Sequence, residues 1–132
     1  MRVLKIISAI FFFTVLFSCK TTTGSSIVTG KARSAISPTD VRIYLDPPSQ
    51  YETIGLVEAS GDIESSRQVA QDKVIDELKL QAAKIGANGV LLIGTGNSLG
   101  ETIMIHAGGG ILFPVQGEKI TAQGRAIYII QE

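Results

Sequence analysis

Apolar positions change their period along this chain, and each change marks an element. Ile6 to Phe17 is a mainly apolar run of twelve residues with neither helical nor alternating order. Lys20 to Asp40 follows, with eleven Ser, Thr or Gly among 21 residues and no sustained apolar period, the pattern of a flexible tether. Its root-mean-square span is roughly 25 Å; the alternative is an ordered arm in which Ile27 and Val28 form a short strand. A folded domain is then expected over 41–132. Val41 to Leu45 alternates in part, as a half-buried strand does, and Pro47-Pro48 ends it by removing ladder donors. Tyr51 to Ala59 is rich in β-formers and predicts a second strand, closed by Ser60-Gly61-Asp62.

The pattern then shifts to a helical period. Ala70, Val74, Leu78, Ala82 and Ile85 form one stripe, which Val69, Ile75 and Leu80 widen, and charged residues occupy the remaining surface. Ser65 with Gln68 has the spacing of a capping box, and Gly86 suits the left-handed residue that ends many helices. Asn88-Gly89 turns the chain into the apolar run Val90 to Ile93. A strand, a helix and a strand in this order predict a right-handed crossover between parallel strands. Gly94 to Gly100 reads as a loop or bulged strand end, Thr102 to His106 as a short strand broken by Gly108-Gly109-Gly110, and Ile111 to Val115 as a hairpin arm or loose loop. Lys119 to Ile130 closes the domain as a strand. The expected class is α+β, with one long helix packed on a mixed sheet of four or five strands. Val90–Ile93 and Ile127–Ile130 are apolar at consecutive positions, so both faces of those strands prefer burial. One helix covers one face. The other is left to residues 101–118, to the tether, or to another subunit in a homo-oligomer.

The apolar run at the N-terminus has a basic head of Met1, Arg2 and Lys5 and is shorter than the roughly 20 residues a membrane-spanning helix needs. It fits the central region of a secretory signal over 1–18. Its end, Leu16-Phe17-Ser18-Cys19, resembles a bacterial lipobox, in which the signal is cut before a cysteine that becomes lipidated; Phe17 stands where a smaller residue is more usual. Cys19 is the only cysteine. The alternatives are an uncleaved anchor, or a core strand in which Cys19 is a small buried residue. The lipobox reading places the protein in the bacterial cell envelope, held to the membrane through an N-terminal lipid. Lys20, rather than the aspartate associated with inner-membrane retention, points to the outer membrane and a domain facing the periplasm.

Charge narrows the partners. The chain is formally neutral, and loss of Arg2 and Lys5 with the signal leaves 10 basic residues against 12 acidic. No basic excess exists to track a phosphate backbone, so nucleic acid is not an expected partner.

Residues that could carry chemistry are sparse. Gly94-x-Gly96-x-x-x-Gly100 lacks the spacing of a dinucleotide fingerprint and the Lys-Ser or Lys-Thr pair of a P-loop. His106 is the only histidine, whereas structural metal sites draw on several Cys or His ligands. No serine lies in a Gly-x-Ser-x-Gly elbow. Glu58, Asp62 and Glu64 cluster near the turn before the helix, where they could bind a cation or act as an acid–base pair, or simply be solvated acids near the positive end of the helix dipole. No catalytic residue, cofactor or metal site is expected. The candidate ligand contacts are His106, Gly108, Gly109 and Gly110.

Tyr51-Glu52-Thr53-Ile54-Gly55-Leu56-Val57, the helix, and Ala83-Lys84-Ile85-Gly86-Ala87-Asn88-Gly89-Val90 together resemble the small bacterial domains of the YbjQ-like group and the related Rcs stress-sensor lipoprotein domain. The likeness covers about residues 41 to 95, with a looser fit at 119 to 130. It implies a sandwich of strands and helix, an envelope location and no established enzymatic activity. YbjQ-like proteins are described as pentameric and as candidate metal binders, but no ligand set carries over onto this sequence. The stress-sensor domain holds disulfides, and this domain has no cysteine. The expected function is a lipid-anchored envelope protein acting through protein–protein contact or self-assembly, in envelope stress signalling or assembly of an envelope complex. The alternative is a small-ligand or metal-binding module built on the glycine-rich region 94–110.

Overall fold

A computed structural model of the chain, describing residues 22–106 and 108–131, places one long helix against one face of a single curled sheet. The strands are β1 (Thr22–Val28), β2 (Arg42–Tyr44), β3 (Gln50–Asp62), β4 (Gly89–His106) and β5 (Leu112–Gln131), and the helix is α1 (Arg67–Lys84). The sheet order is β1-β3-β5-β4-β2. Neighbours are antiparallel except β2 and β4, which are parallel.

The expected α+β class is corrected to a mostly β fold, with 56% of residues in strands and 19% in helix arranged as a curled half-barrel. The difference arises in two places. Gly94 to Gly100, expected as a loop or a bulged strand end, continues β4 between two bulges: Gly94 to Leu99 pair with Gln123 to Glu118. A long antiparallel partner overrides the weak strand preference of glycine, which is a property of context more than of residue. Thr22–Val28, expected in a flexible tether with an ordered arm stranded at Ile27 and Val28 as the alternative, pairs along its whole length with β3 from Gly61 to Gly55. Its backbone groups find partners there that a tether would leave to water. The ordered part of the fold therefore starts before residue 41. Register shifts at Thr53/Gly55 in β3 and at Leu92/Gly94 and Leu99/Thr102 in β4 insert extra residues, and such bulges bend and twist a strand.

The helix lies where its apolar period places it, although its start moves by one residue. Ser66, not Ser65, is the cap, and its hydroxyl accepts from the Val69 amide at 3.2 Å. Gln68 instead donates to Asp72. Ala70, Val74, Leu78 and Ala82 are buried against Ile54, Val57 and Ala59 of β3, Val90 of β4, and Ile120, Ala122 and Ala126 of β5. Gly86 ends the helix with φ +79°. Asn88 then ties the exit to β5: its Oδ1 accepts from the Ile129 amide at 2.7 Å and its Nδ2 donates to the Ile129 carbonyl at 3.3 Å.

β3 and β4 are parallel, as the crossover predicts, but they are not neighbours. β5 lies between them, antiparallel to both. Nor do the segments expected to cover the second face do so. Residues 22–28 form an edge strand, and 102–116 extend the sheet lengthwise. On that helix-free face Ile27, Leu56 and Ile93 stay exposed. They surround a shallow pocket with Ser25, Glu58 and Gln123.

Candidate functional site

The sheet is five strands wide only over part of its length. β3 leaves β5 at the Asp62↔Lys119 pair, and β2 leaves β4 at Tyr44↔Leu91. Beyond Leu99↔Glu118 only β4 and β5 remain, paired from Thr102↔Gln116 to His106↔Leu112 as a two-stranded ribbon. Pro114 is tolerated there because β5 has lost its neighbour on one side, so a missing donor breaks no ladder bond.

Cross-strand partners project to the same side of a sheet and successive residues to opposite sides. Ile103 with Val115 and Ile105 with Phe113 therefore share one side of the ribbon. Val115 and Phe113 keep the alternation of Lys119, Thr121 and Gln123 along β5, which places this side in line with the helix-free face. All four side chains are 41–57% exposed. The other side carries Thr102 with Gln116, Met104 with Pro114, and His106 with Leu112. From Thr102 to Gly117 the chain has no Asp, Glu, Lys or Arg. A second feature adjoins the ribbon. Among the described residues β4 has no strand on its outer side from Leu92 to His106, because β2 covers only Gly89 to Leu91.

The candidate residues fall as follows. Cys19 lies outside the described residues. His106 is the last residue of β4 and is exposed. Gly108, Gly109 and Gly110 turn the ribbon with φ of +88°, +65° and +77°, and a Cβ on any of them would meet nothing within 4 Å. These four residues form a solvent-exposed tip, not a concave site. Glu58 and Asp62 stand four positions apart on β3, about 13 Å by strand rise, so they do not form a close pair. Both are exposed, as is Glu64. Among the described residues no group of three or more His, Cys, Asp or Glu side chains could hold a metal ion.

Two structural contacts have no signal in the apolar pattern. Arg33 donates to Glu52 at 2.8 Å and stacks 3.8 Å from the Tyr128 ring centroid, and its amide donates to the Ile85 carbonyl. This clasps the segment after β1 to the helix end. The paired bonds of Asn88 with Ile129 are the other. The two arms of the ribbon match the strand expected over Thr102 to His106 and the hairpin arm expected, as one alternative, over Ile111 to Val115; the pairing register across the glycine triplet had no signal of its own.

No known protein family matches the chain, and no curated protein matches it. Among solved structures it is similar to the crystal structure of the Francisella virulence factor FvfA in its orthorhombic form, with 20% sequence identity and a TM-score of 0.47, covering 78% of this chain and 96% of that one. No helix among the described residues is long and apolar enough to cross a membrane.

Proposed function

We propose that this chain is a lipid-anchored protein of the bacterial cell envelope, held by acylated Cys19, whose sheet acts through contact with an envelope protein or a second copy of itself. The observation that carries the contact reading is the open outer edge of β4 from Leu92 onward. A long unpaired edge presents a row of amides and carbonyls that template a further strand, and strand addition is a common mode of peptide and protein recognition. Ile93, exposed beside that edge, supplies apolar area next to the backbone bonds. The lipid reading rests on the Leu16-Phe17-Ser18-Cys19 motif and the run before it. Several acyl chains, at about 0.8 kcal/mol per buried methylene, make such an anchor effectively permanent.

Two measurements on the protein from its native envelope test the proposal. Mass spectrometry of the N-terminal peptide is expected to find acylated Cys19, and an intact Met1 would refute the anchor. A photocrosslinking residue in place of Asn97, on the open edge, is expected to give a discrete adduct that the same residue in place of Lys73, on the exposed side of α1, does not. An adduct at twice the monomer mass indicates self-assembly and another mass indicates a partner. Equal or absent adducts at both positions would refute edge contact.

A further inference from the structure

We infer that the β4–β5 ribbon is a second membrane attachment, which lays its Ile103, Ile105, Phe113 and Val115 side on the surface of the bilayer that holds the lipid anchor. This rests on the anchored reading above and extends it from one point of attachment to two. The deciding observation is where the chain enters the sheet. Thr22 pairs with Gly61, Gly61 with Ile120, and Ile120 with Asn97, one continuous row across four strands. The ribbon starts two rows further along, beyond Leu99↔Glu118. Thr22 therefore lies at the end of the sheet from which the ribbon projects, and β1 runs away from that end. Cys19 precedes Thr22 by three residues, at most about 10 Å of extended chain. A lipid at Cys19 brings the membrane to the ribbon end of the molecule.

The composition of the ribbon suits that neighbour. Its five rows from Thr102 to His106 span about 13 Å. It presents four large apolar side chains on the Ile103 side, whereas the other side mixes exposed Met104 and Leu112 with Thr102, Gln116 and His106, the only titratable side chain between Thr102 and Gly117. Glu118 and Lys119, at the base, are the first charged residues after the ribbon on β5.

Backbone chemistry sets the depth. Among the described residues both outer edges of the ribbon are unpaired, and open sheet edges do not occur in the hydrocarbon region, where their amides and carbonyls find no partner. The ribbon consequently lies in the interface, with side chains reaching about 5–10 Å into the headgroup and acyl boundary and its edges among headgroups and water.

The test uses the full lipidated protein in vesicles of phosphatidylethanolamine and phosphatidylglycerol. With Cys19 acylated, Phe113→Cys introduces the only free thiol, which takes an environment-sensitive fluorophore. Lys84→Cys, at the exposed far end of α1, is the control. Nitroxide-bearing lipids are expected to quench the probe at 113 several-fold more than the probe at 84, with a blue-shifted emission at 113 alone. Flotation of the vesicles is read on the same samples. Protein that floats while its probe at 113 remains water-exposed overturns the ribbon inference and leaves the anchor standing. A blue shift at 113 without lipid quenching overturns it in favour of a covering protein, which is a second copy if the shift grows with protein concentration. Protein that fails to float overturns both the anchor and the inference.

Discussion

Gly124 is the position at which the fit between helix and sheet can be measured most directly. It lies on β5 under α1, and its φ is not in the left-handed region, so alanine is conformationally allowed there. Steric room is the only obstacle. A Cβ at this position would overlap Cγ1 of Val90, with the Leu91 carbonyl oxygen at 3.2 Å and Cδ2 of Leu78 at 3.7 Å. Val90 and Leu78 are fully buried, and valine is stiff about χ1, so neither can swing clear without moving the core. Overpacking of this kind costs about 1–3 kcal/mol. Loss of glycine's freedom in the unfolded chain offsets about 0.4–1 kcal/mol of that. Gly124→Ala should therefore destabilise by about 1–2 kcal/mol, read as a lower urea midpoint at unchanged slope. Val90→Ala alone removes buried methyl groups and should cost about 1.5–3 kcal/mol. In the double variant the new methyl occupies the space vacated by Val90, so the two costs should fall short of additivity by about 1 kcal/mol or more. Full additivity, or a Gly124→Ala effect within the roughly 0.5 kcal/mol of an inert surface site, would refute this account of the packing.

Three further substitutions can be measured in the same urea titration. Gly94→Ala serves as a contrast: nothing lies within 4 Å of a Cβ there and its φ is not left-handed, so it should be neutral or stabilise by up to about 1 kcal/mol. Leu78→Ala removes the largest fully buried side chain of the helix, 0% exposed, and should destabilise by about 2–5 kcal/mol. Asn88→Ala leaves the Ile129 amide and carbonyl without their partners and should cost about 1–3 kcal/mol, with Asn88→Asp retaining the acceptor and recovering part of the loss.

Elements with a strong local signal were legible in the sequence, and those set by pairing were not. The helix could be placed from the four-residue recurrence of Ala70, Val74, Leu78 and Ala82, because period and burial are both properties of that segment alone. Gly86 could be placed for the same reason, since a left-handed terminal residue is a local demand. The capping serine was missed by one position because Ser65 and Ser66 are chemically identical candidates, and only the path of the chain distinguishes them. β1 was read as a tether, with a short strand at Ile27 and Val28 only as the alternative, because Gly24, Ser25 and Ser26 interrupt its β-formers and its stability comes from β3 beside it. The glycines of 94–100 left loop and bulged strand end open. Their composition alone does not decide, and Glu118 to Gln123 supply the partners for Leu99 to Gly94. The arms of the ribbon were legible as a strand and a hairpin arm, but the open edge and the point where the ribbon leaves the sheet were not: both depend on where pairing stops, which no residue states by itself.

The same stopping points connect the ribbon to the edge of β4. A two-stranded hairpin alone is at best marginally stable in water, and this one is held by continuity with a wider sheet at its base and by nothing described along its sides. Its four exposed apolar side chains on one side cost free energy in water, so its composition makes sense against an apolar neighbour. A lipid surface meets that need without satisfying the edges, and a partner strand satisfies an edge without covering the apolar side. The two surfaces therefore call for different neighbours. If the ribbon rests on the membrane, the edge from Leu99 back to Leu92 leads away from it, open to a partner strand. Attachment at both Cys19 and the ribbon would fix which way that edge faces, which attachment at a single point does not. The expected consequence is that charge placed on the ribbon, as in Phe113→Asp, weakens the Asn97 crosslink although the two positions do not touch. An unchanged crosslink would separate the two surfaces and leave the edge working without the ribbon.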